Sequence, residues 1–163
     1  MKNYCIRIIV VFIFLFSSLT GFTQKASVIK LEQLNSLLSN KNDTTYVINF
    51  WATWCKPCVK ELPFFIEAEE RLKNEKVSFI FISLDFKRDL DSRLNDFVKK
   101  NMLNSTVYLI DEPDYDQWID KVDPSWQGNI PATLIYNFNK SKREFFPKEL
   151  GSDELSFILK GII

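Results

Sequence analysis

Two of the three cysteines in this chain stand three positions apart, in the stretch Phe50-Trp51-Ala52-Thr53-Trp54-Cys55-Lys56-Pro57-Cys58. Sulfurs at that spacing can form a redox dithiol, a structural disulfide or part of a metal site. The chain contains no histidine, and Cys5, Cys55 and Cys58 together fall short of the four ligands that structural zinc takes. A two-residue gap closes a very small loop, so a bond there removes little entropy from the unfolded chain, which weighs against a simple staple. The redox dithiol is therefore the favoured reading. Without imidazole, serine–histidine and cysteine–histidine nucleophile pairs are excluded as well.

A dithiol works only if its two thiols differ, and the flanking elements can make them differ. Residues 45–51 are β-branched and aromatic and are predicted to form a buried strand. From Pro57 onward Val59, Leu62, Phe65, Ile66 and Leu72 recur at helical spacing. Pro57 suits a first helical turn, where its missing N–H costs nothing, and Pro63 is predicted to kink the helix. Cys55 then lies at the helix N-terminus, where free backbone N–H groups and the positive dipole end favour thiolate. In such settings a cysteine pKa falls from about 8.5 to roughly 3.5–7.5. Cys55 is the expected nucleophile and Cys58, one turn in, the expected resolving thiol. Lys56 is expected to be a solvated side chain beside them.

The rest of the chain reads as one α/β domain. A helix is predicted near residues 28–40, a second buried strand over 77–84, a helix over 87–101 that includes Met102 in its pattern, and a strand over 106–110. Tyr115, Trp118, Ile119 and Val122 mark one face of a short helix. A strand at 131–136, a hairpin partner at 142–146 and a closing helix that Ser152 can cap complete the pattern. Hydrophobic residues make up 46% of the 163-residue chain, enough for a packed core. Lys+Arg and Asp+Glu number 21 each, which gives no argument for a nucleic-acid partner. Residues 1–24 carry basic residues, the apolar run 8–16 and a small polar tail, the pattern of a signal peptide, with residues 25–163 as the domain. Cleavage near Thr23 or Gln24 is one expectation, and an uncleaved N-terminal tether the other. Either predicts an exported, periplasmic protein, in a compartment where disulfides persist.

The active stretch resembles that of the thioredoxin superfamily: strand, Trp54-Cys55-Lys56-Pro57-Cys58, helix, and a proline eight residues after the first cysteine. Gly128-Asn129-Ile130-Pro131-Ala132-Thr133 resembles the cis-proline loop of that superfamily, and the strand and helix inserted at about 87–110 are similar to exported TlpA/ResA-type proteins. The resemblance implies a thioredoxin-like fold, a central mixed β-sheet flanked by helices with that insertion. It also implies that Pro131 is cis, that Ile130 offers its backbone to a substrate strand, and that Trp54 gives an apolar docking surface. Trp51, Trp118 and Trp126 are expected to be packing residues. Many thioredoxins place a buried Asp where this chain has Asn49, which cannot titrate. Asp85 is the candidate proton relay in its stead, with Glu112 second.

The functional expectation is an exported, monomeric thiol–disulfide oxidoreductase acting on disulfides or dithiols of other exported proteins. No organic or metal cofactor is required, since the electrons reside in the Cys55–Cys58 sulfurs. The resemblance implies reduction, cytochrome c maturation or redox homeostasis among its settings, and a membrane electron donor upstream. Two alternatives stand beside it. A peroxiredoxin-type peroxidase needs a threonine three residues before the attacking cysteine, where this chain has Ala52. A binding module that merely keeps the fold would not need both cysteines.

Overall fold

The computed structural model describes residues 25–101 and 105–163. The predicted signal segment 1–24, its cleavage site, Cys5 and Met102 lie outside the described residues. Among the described residues six strands form one sheet in the order β1-β4-β3-β2-β5-β6: β1 Ser27–Ile29, β2 Thr45–Trp51, β3 Val77–Ser83, β4 Thr106–Ile110, β5 Ala132–Asn137 and β6 Lys142–Phe146. β1, β4, β3 and β2 run parallel, while β5 is antiparallel to both β2 and β6. Five α-helices among the described residues accompany them: α1 Leu31–Leu38, α2 Lys56–Arg71, α3 Asn95–Lys100, α4 Ile119–Val122 and α5 Ser152–Ile162.

The pleat of β2 explains why apolar residues occupy both of its faces. Val47 and Trp51 point to one face and join Leu62, Phe65 and Ala68 of α2, Leu94 and Val98, and Leu155, Leu159 and Ile162 of α5. Ile48 and Phe50 point to the other face and join Leu34 of α1, Trp118, Val122 of α4 and Trp126. Both faces are covered, so a strand with no polar alternation is the stable solution. Asn49 breaks the rule: it lies on the α2 face, 1% exposed, opposite Thr133 of β5.

The predicted helix over 28–40 is shorter than expected. Ser27, Val28 and Ile29 instead pair with Tyr108, Leu109 and Ile110 at the free edge of β4, because sheet pairing outweighs the helical spacing of Val28. Helix α1 follows, and the Gln33 side chain accepts from the Lys30 N–H at its start. The predicted helix over 87–101 is divided into a 3₁₀ turn at Lys87–Asp89, a π-helical turn at Leu90–Leu94 and α3. Lys87 pairs with Asp111 at 2.7 Å and Arg88 stacks on Phe86, which pins the first residues before the helix begins. Tyr115 sits in a separate 3₁₀ turn and is exposed, while Trp118 and Val122 are buried. Ser152 does not cap α5. Gly151 takes the N-cap place, and its carbonyl accepts from Leu155 N at 2.9 Å.

The ring of Phe50 is fully buried between Trp118 and Trp126, with centroids 6.2 and 4.7 Å away. Phe50→Ala is expected to destabilise the protein by about 3–5 kcal/mol. Urea unfolding measures this, and a loss below about 1 kcal/mol would contradict the packing described.

Candidate active site

β2 ends at Trp51 and α2 begins at Lys56, so residues 52–55 make the turn that presents the cysteines. Cys55 is the N-cap of α2 in an extended conformation, and its sulfur accepts from Cys58 N at 3.3 Å. That backbone N–H is one of the donors a helix start leaves free, so the sulfur occupies an anion-favouring position. Cys55 and Cys58 are joined in a disulfide with a Cα–Cα distance of 5.3 Å. Cys55 is 6% exposed and Cys58 fully buried, so the two sulfurs differ in access as the helix geometry requires. Pro57 lies in the first turn, and the helix runs on through Pro63.

The surroundings place the other sequence-derived candidates. Trp54 is 53% exposed beside the pair. The Ile130–Pro131 peptide is cis, and Ile130 is half-buried against the cluster that holds both cysteines. The loop before it is held by Trp126 Nε1 donating to Asn129 O and Asn129 Nδ2 donating to Pro147 O, each at 2.8 Å. Trp51, Trp118 and Trp126 are buried, as packing residues are.

Asp85 is buried and next to the turn, and both of its oxygens accept hydrogen bonds from that turn. Oδ1 accepts from Thr53 Oγ1 at 2.6 Å, and Oδ2 accepts from Thr53 N at 3.0 Å and Ser83 Oγ at 2.7 Å. These bonds bolt the 52–54 turn to the end of β3. Glu112 is elsewhere. Its Oε1 accepts from Leu31 N at the start of α1, beside β1 at the far edge of the sheet.

The buried acid that the sequence reading missed is Glu61. It lies one turn after Cys58 on the same face of α2 and is fully buried. Oε1 accepts from Asn49 Nδ2 at 2.8 Å, and Oε2 accepts from Leu150 N at 2.7 Å. Burial pushes its carboxyl up from the ordinary 4.5 to about 7; the bonds from Leu150 and Asn49 oppose that rise, and neighbouring Glu149 adds to it. Glu149 is itself paired with Lys60 at 2.6 Å. The signal was in the sequence: Cys58, Leu62, Phe65 and Ala68 define the buried stripe, and Glu61 falls on it.

The sheet order and a disulfide capping a helix at the end of a central strand define a thioredoxin-like fold, and solved structures agree. A thioredoxin-related protein from Neisseria meningitidis serogroup B superposes with a TM-score of 0.62 at 22% identity, over 76% of this chain and 87% of that one. StoA from Bacillus subtilis gives 0.56 at 21%, over 74% and 84%. The AhpC/TSA family model matches residues 18–140, and the chain belongs to that family. Among curated relatives, the thiol-disulfide oxidoreductase ResA of Bacillus anthracis is 38% identical over 115 residues, 71% of this chain and 61% of that protein. ResA of Bacillus thuringiensis subsp. konkukian is 40% identical over 62 residues, 38% and 34%. The matched stretches thus span less than two thirds of these relatives.

The raised carboxyl of Glu61 has a stability consequence with a definite sign. Between pH 4.5 and about 7 the folded protein holds a proton on Glu61 that the unfolded chain has released. Stability therefore falls as pH rises through that window, by about 3 kcal/mol in total. Denaturant unfolding of the oxidised protein at pH 5 and pH 8 should show the fall, and Glu61→Gln should remove most of it. An equal fall in the variant would assign the effect to another group.

Proposed function

We propose that the protein is a thiol–disulfide oxidoreductase that exchanges its Cys55–Cys58 pair with disulfides or dithiols of other proteins. The observation that carries this reading is the oxidised pair at the start of α2 with a buried, proton-holding carboxyl one turn further on. The names of the ResA relatives support it.

In the reducing direction the Cys55 thiolate attacks a substrate disulfide. One substrate sulfur leaves with the electron pair and takes a proton, and a mixed disulfide forms. Glu61 then accepts the proton of the Cys58 thiol. The Cys58 thiolate attacks Cys55 Sγ, the Cys55–Cys58 bond forms, and the second substrate sulfur leaves and is protonated. Two electrons pass from the dithiol to the substrate. The opposite direction runs the same steps backward. In this reading Glu61 takes the relay role that the sequence assigned to Asp85, and Asp85 serves as a positioning residue for the 52–54 turn. Trp54, exposed beside the pair, and the backbone of Ile130, ahead of the cis peptide, are the surface on which this reading seats a substrate strand.

We further infer export, action as a reductase on exported proteins, a membrane electron donor and a monomeric state, on the pattern of residues 1–24 and the TlpA/ResA resemblance. Among the described residues no helix is long and apolar enough to cross a membrane. A peroxidase is the weaker reading. Ala52 offers no hydroxyl, and the neighbouring Thr53 hydroxyl is bound to Asp85.

Turnover of a protein disulfide with dithiothreitol as the electron source tests the assignment. Cys55→Ser is expected to reduce catalysis to the uncatalysed rate. Reduced Cys58→Ser, mixed with the protein disulfide after the dithiothreitol has been removed, should accumulate a stable mixed disulfide, visible on a non-reducing gel. Wild-type rates in both variants would sink the oxidoreductase, and hydrogen peroxide consumption faster than disulfide turnover would favour the peroxidase.

A further inference from the structure

Asn49 has an unequal set of partners. Its Nδ2 donates both hydrogens, to Glu61 Oε1 at 2.8 Å and to Thr133 Oγ1 at 3.1 Å. Its Oδ1 is buried without a hydrogen-bond partner. An idle buried acceptor is costly, and its presence beside a titrating acid calls for a reason.

The partners themselves supply one. Glu61 Oε2 faces the backbone N–H of Leu150, a group that only donates. A proton arriving on Glu61 is thus best placed on Oε1, on the Asn49 side. Once there it faces Nδ2, and two donors oppose each other. Turning the amide about its χ2 bond puts Oδ1 where Nδ2 stood. Oδ1 then accepts from the carboxyl O–H, and also from the Thr133 hydroxyl, which can donate as well as accept. Each orientation serves one end of the amide and leaves the other end idle, so the two are comparable in cost. Aspartate at position 49 could only accept, and leucine could do neither.

We propose that Asn49 is a reversible amide clamp that holds Glu61 in both protonation states, donating through Nδ2 to the carboxylate and accepting through Oδ1 from the carboxyl. Thr133, two residues after Pro131, is its pivot partner, so the clamp joins the proton carrier on α2 to the strand that follows the cis peptide. The other titratable or charged groups set near Glu61 are the cysteine pair on its own helix and Glu149 with its partner Lys60. Neither Glu149 nor Lys60 appears among the partners of Asn49. The clamp deepens the reading of Glu61 as the proton carrier and rests on it.

Nuclear magnetic resonance of the oxidised full chain tests it without a variant. Above the Glu61 midpoint, contacts between the Asn49 Nδ2 hydrogens and Thr133 are expected; below it they are lost, with the amide resonances titrating at the same midpoint as the Glu61 carboxyl carbon. Contacts that persist through the titration would overturn the clamp. Asn49→Leu supplies a second readout. A residue that serves both states should leave the Glu61 midpoint nearly in place when removed, whereas a one-way donor should raise it by about one unit, a tenfold change; the latter result overturns the proposal. Glu61→Gln separates the two ideas. If disulfide exchange by that variant keeps the wild-type pH profile, the carrier reading fails. If the profile changes but the Asn49 amide never turns in the wild-type protein, the clamp alone fails.

Discussion

A carboxyl group buried one turn below a cysteine must be held by donors or give up its charge. In this protein Glu61 does both. Asn49 and the Leu150 N–H satisfy the carboxylate, yet burial still raises its proton affinity to the neutral range. Much of the structure serves that compromise. β2 brings Asn49 to the α2 face, β5 brings Thr133 opposite it, and the chain before α5 turns back so that Leu150 can donate. The disulfide occupies the helix start, where the same dipole that favours a Cys55 thiolate is strongest.

Two polar clusters divide the work at the end of β2. Asp85 holds the turn: its three accepted bonds fix Thr53 and thereby the approach to Cys55. Glu61 holds the proton. They lie on different elements, the end of β3 and the first half of α2, so either can be altered without removing the other's bonds. The apolar packing is divided in a similar way, with the cysteine cluster on one face of the sheet and the Phe50–Trp118–Trp126 group on the other.

The cysteine pair and its strand–turn–helix setting were legible because each rests on local chemistry, Pro57 in a first turn with an apolar run ahead of it, whereas the cis peptide before Pro131 was expected from the family resemblance alone. The central strands were legible for the same reason. β1 was not, because Val28 and Ile29 fit a helical stripe as well as a strand, and only the free edge of β4 decides between them. The division of residues 87–100 depends on Asp111 and Phe86, contacts that no periodicity reports. Asn49 cannot titrate, and the acids weighed in its stead, Asp85 and Glu112, lie on loops, where acids are common. Glu61 lay on an apolar helical stripe, where a charged residue is the anomaly worth pursuing.

The proposed function couples the proton of Glu61 to the electrons of the Cys55–Cys58 pair. The midpoint potential of that pair, measured against pH for the wild-type protein and for Glu61→Gln, tests it most directly. The wild-type curve is expected to change slope near pH 7, and the variant curve is not. Two curves of the same shape would show that Glu61 titrates without regard to the sulfurs, and would contradict it.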